Sequence, residues 1–195
     1  MSERYKYNRE GYLNENFRMF HLRDTAGQER DFHFHEFDKI VILISGSVNY
    51  MVEGTDYTLE PWDILLVRHH MIHKALIDMS VPYERIIIYI DSAYVERFAP
   101  DGGLMDCFAE AEKRRFCLMR PDRGEIEKLK DSLDRLESSI SDTEFGAELM
   151  RGTLLAQLMV QLNRIMQRDT SSKAAPTEQS GKISAALIPL KFDLS

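Results

Sequence analysis

A chain of 195 residues suits one compact domain with an extension, and it is short for two ordinary domains. Hydrophobic residues make up 44% of the chain and charged residues 29%, a balance that excludes extensive disorder and a membrane protein. The net charge of -7 argues against a broad phosphate-binding surface, so this chain alone is not expected to bind DNA. The opening residues carry no signal-peptide pattern, and we therefore expect a cytoplasmic location.

The first half of the chain, up to about residue 91, predicts short β-strands separated by turns. The strand-like runs are FRMFHLRD, FHFHEFDKIVILISG, VNYMV, DYTL, DILLV, KALID and YERIIIYI. Turn sequences such as EGTD at Glu53 and EPWD at Glu60 lie between them. Closely spaced short strands of this kind are typical of a small β-sandwich or barrel.

Beyond residue 91 the spacing of apolar residues predicts two helices. Asp122 and Glu125 form a capping-box pattern before the first helix, and Ser141 and Glu144 repeat it before the second. The apolar stripes are Ile126, Leu129, Leu133, Leu136 and Ile140, and then Phe145, Leu149, Gly152, Leu155, Leu158 or Met159, Leu162 and Ile165. The junction is short enough that the two helices must fold back on each other.

The sequence does not specify which surface covers the two apolar stripes. They could pack only on the β-domain and on each other, but they are long, and Leu154, Met159 and Met166 widen the second one. That surface is more than one hairpin hides, which favours a homodimer held by these helices. The polar segment RDTSSKAAPTEQSG, residues 168–181, then predicts a flexible linker.

Three histidines form the clearest chemical pattern. His33 and His35 lie two residues apart on a predicted strand, so their side chains share one face. His73 lies on a distant strand, ten residues after Asp63. Imidazoles from two strands of one barrel suit a divalent metal such as Zn, Ni, Fe or Mn, so His33, His35 and His73 are candidate metal ligands.

The motifs that contain these histidines resemble the cupin barrel. HFH running into ISG, EGTDYTLEPWDILLVRHHMIH and YERIIIYI are similar in particular to the N-terminal sensor domain of AraC-type transcriptional regulators. The resemblance covers residues 17 to 90 by motif, and the helical pair that follows often dimerises in this family. It implies a mainly β fold, a cupin barrel (double-stranded β-helix, or jelly-roll) followed by a C-terminal α-helical hairpin.

The resemblance also implies a division of the chain. Residues 1–91 form the cupin barrel, residues 92–121 a helical or extended connection packed on it, and residues 122–168 a dimerising helical hairpin. Residues 169–195 resemble a linker and the truncated start of a helix-turn-helix domain, which we expect to be missing here.

Several positions depart from the pattern of metal-binding cupins. Lys39 stands where that family carries a glutamate, four residues after the second histidine, and an ammonium repels a metal ion. A small-molecule pocket lined by His33, His35, Lys39 and His73 is therefore favoured over a metal site. Trp62 replaces a family glycine, so we expect a type I turn without a positive φ angle.

The resemblance implies a small-molecule-sensing and dimerisation domain of an AraC-type transcriptional regulator. The effector would bind inside the barrel, DNA would be contacted only by a full-length parent protein, and no membrane partner is expected. One alternative is a stand-alone cupin metalloenzyme that uses a divalent metal on the three histidines, and another is a ligand-binding cupin without any DNA-binding domain. A binding protein is favoured over an enzyme, and no catalytic residue is assigned. Cys107 and Cys117 are expected to be reduced thiols in the core.

Overall fold

A computed structural model describes residues 8–25 and 31–173 of the chain. Within them lie strands β1 (Asn8–Arg9), β2 (Phe17–Asp24), β3 (His33–Phe34), β4 (Asp38–Ser45), β5 (Val48–Val52), β6 (Thr55–Leu59), β7 (Ile64–Val67), β8 (His73–Ile77), β9 (Tyr83–Ile90) and β10 (Leu118–Met119). The helices are α1 (Ser92–Glu96), α2 (Asp106–Arg114), α3 (Arg123–Ile140) and α4 (Ala147–Lys173). The first sheet has the order β1-β3-β8-β5-β6, and the second sheet has the order β10-β7-β4-β9-β2. The fold is thus mainly β with C-terminal helices, as the sequence predicted.

Alternate strand positions divide the core into two layers. The layer between the two sheets, called the barrel interior below, contains Val41, Leu43, Val48, Tyr50, Val52, Tyr57, Leu59, Leu65, Val67, Tyr83 and Cys117. The intervening positions of β4, such as Ile40 and Ile42, belong to a second layer shared with the helices. Because both faces of β4 and β7 are covered, apolar residues follow one another without a break through the middle of β4 and along the whole of β7. Strands β5 and β6 instead alternate buried and more exposed positions, as expected when only one face is covered.

The apolar stripes of the two long helices pack on the outer face of the second sheet. Leu129 and Leu136 of α3 and Leu155 and Leu158 of α4 are buried in the same layer as Ile40. The wide stripe that favoured a dimer is therefore covered largely by the barrel of the same chain. The large apolar residues left exposed on the hairpin are Ile140, Phe145, Leu149, Met150 and Val160.

Of the two capping boxes predicted from the sequence, the structure contains the first and lacks the second. The capping box before α3 is confirmed, since the Asp122 carboxylate accepts from the Glu125 N–H and the Glu125 carboxylate accepts from the Asp122 N–H. The second one is wrong: Ser141 is the C-cap of α3, and α4 begins only at Ala147, after Gly146 with a φ of 80°. The longer connection turns the chain with a left-handed glycine, which no side-chain pattern specified.

The segment between barrel and hairpin contributes to both layers. Helix α2 buries Phe108 against the helices, whereas β10 pairs with β7 at the edge of the second sheet. Cys107 and Cys117 are buried free thiols, and burial raises the pKa of Cys107 to about 12.

Helix α4 continues to Lys173, so residues 169–173 of the predicted linker are helical, and residues 174–195 lie outside the described part. None of the helices described is long and apolar enough to cross a membrane.

The turn before β7 differs from the prediction at Trp62. Its φ angle is 72°, in the left-handed region that the sequence was expected to avoid. Neighbouring contacts fix this conformation: the Trp62 N–H donates to the Leu43 carbonyl at 2.6 Å, and the Asp63 carboxylate accepts from the Glu60 N–H at 2.8 Å. The Lys130 ammonium lies 5.1 Å from the centre of the indole ring. Tertiary contacts thus hold a large residue where the family glycine would be unstrained.

Candidate functional site

Three buried imidazoles meet at one end of the barrel interior. His33 of β3 and His73 of β8 are direct cross-strand partners, and His35 follows immediately after β3. One nitrogen from each ring can be chosen so that all three lie within 4.8 Å of one another. The sequence predicted that His33 and His35 share a face, and the fold brings His73 to the same place.

Backbone carbonyls fix the orientation of the three rings. Nδ1 of His33 donates to the Asp31 carbonyl at 2.8 Å, and Nδ1 of His73 donates to the Met71 carbonyl at 2.9 Å. Nδ1 of His35 donates to the carbonyl of Glu10. Because a carbonyl oxygen can only accept, each ring carries a proton on Nδ1, and in the neutral form of the ring this leaves the lone pair on Nε2. Anchoring of this kind is what orients imidazoles in metal sites.

Lys39 also points into this cluster. It lies on the same face of β4 as Val41, is 6% exposed, and places Nζ 3.4 Å from Nε2 of His73. Since that Nε2 holds a lone pair, the ammonium donates to it. The same ammonium lies 6.0 Å from the centre of the Tyr50 ring, close enough for a weak cation–π attraction.

The electrostatics of the cluster keep His73 neutral. The pKa of His73 is lowered to about 2; burial is the largest cause, and the positive charge of Lys39 is the next. The carbonyl of Met71, which accepts from Nδ1, opposes this shift, and the rings of His33 and His35 add to it. His73 is therefore an acceptor for the ammonium at any ordinary pH.

A divalent metal does not fit this donor set as it is folded. The three imidazoles are suitable ligands, but the ammonium of Lys39 lies 3.4 Å from Nε2 of His73, where it repels a metal ion. Two unit charges 4 Å apart repel by about 4 kcal/mol near a protein surface, and a divalent ion doubles that value. The nearby carboxylate of Asp38 points to the other face of β4, where it accepts from the N–H of His69 and from the His69 ring.

A cavity of about 630 Å³ opens at this end of the barrel, and we call it the mouth cavity. Its walls are Val52, Glu53, Thr55, Tyr57, His69, His70, Met71, Glu112, Arg115 and Cys117. Val52, Tyr57 and Cys117 also belong to the barrel interior, so the wall of the cavity borders the buried core. Its volume lies within the range of small-molecule sites.

The four residues predicted from the sequence lie behind the mouth cavity and do not line it. Val52 is the cross-strand partner of His73, and the Met71 carbonyl accepts from the His73 ring. Sequence reasoning missed Met71 and Arg115, because they come from loops that only the folded chain brings together. His69 and His70 also form part of the wall.

Polar groups on the cavity wall are held in place by the fold. The Tyr57 hydroxyl accepts from the Cys117 N–H at 3.2 Å and lies 3.5 Å from the Arg115 carbonyl, to which it donates. Burial raises the pKa of Tyr57, so this hydroxyl stays protonated. The Glu53 carboxylate accepts from the N–H of Ile72. The wall thus offers fixed polar groups beside apolar side chains, a combination typical of ligand sites.

Comparison with known proteins gives one family match and several similar structures. The family described as AraC-like ligand binding domain matches residues 19–159. A Cupin 2 conserved barrel domain protein from Salinispora arenicola CNS-205 is 19% identical, with a TM-score of 0.37 over 46% of this chain and 76% of that one. KdgF from Halomonas sp. is 24% identical, with a TM-score of 0.34 over 38% of this chain and 68% of that one. No curated protein matches the chain.

The family match covers most of the described structure. It begins in β2, continues through the barrel and α3, and ends within α4. The strands that supply the histidine cluster and the segments that line the mouth cavity all lie inside it. The chain therefore belongs to the AraC-like ligand binding domain family, as a cupin-type domain with C-terminal helices.

Proposed function

We propose that this chain is the effector-sensing and dimerisation domain of a cytoplasmic AraC-type transcriptional regulator. The mouth cavity carries this proposal, because it has the volume of a small-molecule site and shares wall residues with the barrel interior, in a family that is described by ligand binding. A small molecule would bind there, with its apolar part against Val52 and Met71 and its polar part near Arg115. DNA would be contacted by a separate domain of the parent protein.

The route from the cavity to the helices supports a sensing role. The end of α2 and the residues after it, including Glu112 and Arg115, form one wall of the cavity. Phe108 of α2 packs in the same buried layer as Leu158 of α4. The Asn163 side chain of α4 also donates to the Leu104 carbonyl at 2.8 Å, just before α2. A ligand that favours one position of α2 would therefore bias the position of α4.

Blocking the mouth cavity tests this site. In a thermal-shift screen of small metabolites against tag-free protein, we expect effectors to raise the Tm of the wild type. Met71→Arg, which places a long cation at a half-buried wall position, should weaken binding at least tenfold, equivalent to about 1.4 kcal/mol. Val81→Arg makes the same change at an exposed turn outside the cavity and should leave binding intact. Effectors that stabilise both variants equally would place the ligand elsewhere.

We also propose that the dimer forms through the tip of the helical hairpin. Phe145 is fully exposed, Leu149 and Met150 are more than half exposed, and Ile140 lies at the end of the adjacent helix. Exposed apolar residues grouped in this way are typical of protein interfaces. The buried parts of the predicted stripes are not available for such an interface.

Charging the tip should dissociate the dimer without unfolding the chain. We expect light scattering to give twice 22.7 kDa for the wild type and 22.7 kDa for the double variant Phe145→Asp with Leu149→Asp. Leu76→Asp with Val81→Asp, two exposed apolar positions of the barrel, serves as the matched control and should remain dimeric. A monomeric wild type, or a tip variant that remains dimeric, would contradict this interface.

The second interpretation from the sequence, a stand-alone metalloenzyme, has one observation in its favour. The three histidines do converge, with rings oriented as in metal sites. The ammonium of Lys39 opposes it. Metal binding that depends on His73 in the wild type would favour the enzyme over the sensor. Zinc titration of the wild type and of His73→Ala measures this dependence.

A further inference from the structure

The histidine cluster lies behind the mouth cavity and has a chemistry of its own. One ring nitrogen from each of the three histidines lies within 4.8 Å of the other two in a buried space, and a backbone carbonyl holds each Nδ1. Neutral imidazoles in this arrangement attract a cation. The chain supplies one itself, since the Nζ of Lys39 lies 3.4 Å from Nε2 of His73.

The position of this cation follows from the register of β4. Lys39 pairs with Val67 on one side and Tyr89 on the other, and alternation places its side chain in the barrel interior. The side chain is buried, and its ammonium lies 3.4 Å from Nε2 of His73. Asp38, one residue earlier, has its carboxylate on the opposite face, bonded to His69. Strand β4 thus directs the Lys39 ammonium into the barrel interior and the Asp38 carboxylate to the opposite face of the sheet.

We propose that Lys39 is the resident cation of the three-histidine cluster, and that its ammonium takes the place of a metal ion. The barrel then holds its imidazoles together without metal. A single substitution, Lys39→Glu, replaces the cation by a carboxylate on the same strand and turns the cluster into a divalent metal site with three imidazoles and one carboxylate. This inference does not depend on the proposed sensing role, because a failed effector screen leaves the metal measurement unchanged.

Zinc titration of tag-free, chelator-treated protein tests the proposal. Calorimetry should show no saturable binding site for Zn²⁺ in the wild type. For Lys39→Glu we expect about one Zn²⁺ per chain, bound at least about 100-fold more tightly than by the wild type, with a rise in Tm on addition of the metal. Adding His73→Ala to Lys39→Glu should abolish both effects. Lys74→Glu makes the same charge change at the next position of β8, where residues alternate to the other face, and should behave as the wild type.

A neutral variant protects the test against a failure of Lys39→Glu to fold. Lys39→Met keeps the aliphatic length and removes the charge, so it should fold and bind Zn²⁺ through three imidazoles, more tightly than the wild type and less tightly than Lys39→Glu. Stoichiometric zinc in the wild type that is lost in His73→Ala would overturn the proposal, because the ammonium would then not exclude a metal. Variants at Lys39 that fold and bind no more zinc than the wild type would overturn it as well.

Discussion

Gly46→Ala is expected to lower the free energy of unfolding by roughly 3 kcal/mol or more. Gly46 lies in the turn between β4 and β5 with a φ of 104°. A Cβ atom there would lie 2.7 Å from the Pro82 carbonyl oxygen and 2.9 Å from the Tyr83 Cα. Both neighbours are backbone atoms, so the clash is relieved only if two turns of the barrel separate. Urea unfolding of the two proteins measures the difference.

Gly54→Ala is the matched control for this prediction. Gly54 also has a positive φ, 77°, but no heavy atom lies within 4 Å of the position a Cβ would take. Its substitution should therefore cost only backbone strain, about 1 kcal/mol. An equal loss for Gly46→Ala would show that the close approach of Gly46 to Pro82 contributes nothing.

Leu158→Ala is expected to lower the free energy of unfolding by about 3 kcal/mol, because it leaves a cavity in a closed layer. Leu158 of α4 is fully buried among residues that include Ile40 and Ile88 of the second sheet. Barrel and hairpin share this layer, so fluorescence and circular dichroism should report one transition for both. Two separated transitions would show that the hairpin is an independent unit.

Leu149→Ala provides the comparison on the same helix. Leu149 is 66% exposed on the single chain, so at protein concentrations low enough to dissociate the proposed dimer its truncation should change the free energy of unfolding by less than about 0.5 kcal/mol. The two leucines belong to one stripe in the sequence. At higher concentrations the same truncation should cost more, because the proposed dimer covers the tip, and light scattering shows which state is present. A loss at Leu149 comparable to that at Leu158 in the monomer would contradict the exposed position of Leu149.

Local patterns in the sequence determined much of the fold. The short apolar runs and the turns between them placed the barrel strands, including β4 and β9. The pairing of Asp122 with Glu125 fixed the start of α3, because a capping box needs only residues three apart. His33 and His35 share a face for the same local reason. These features depend only on residues that are close along the chain, so the sequence alone was enough to predict them.

The tertiary structure decided what depends on distant neighbours. Whether the stripe containing Leu158 faced a partner or the barrel was settled by the outer face of the second sheet, which no helical pattern reveals. The left-handed turn at Trp62 requires the Leu43 carbonyl, and the mouth cavity requires Met71 and Arg115 to meet from separate loops. The 3.4 Å contact of Lys39 with His73 likewise joins residues 34 positions apart. Such contacts arise from strand order and packing, which a local pattern constrains but does not specify.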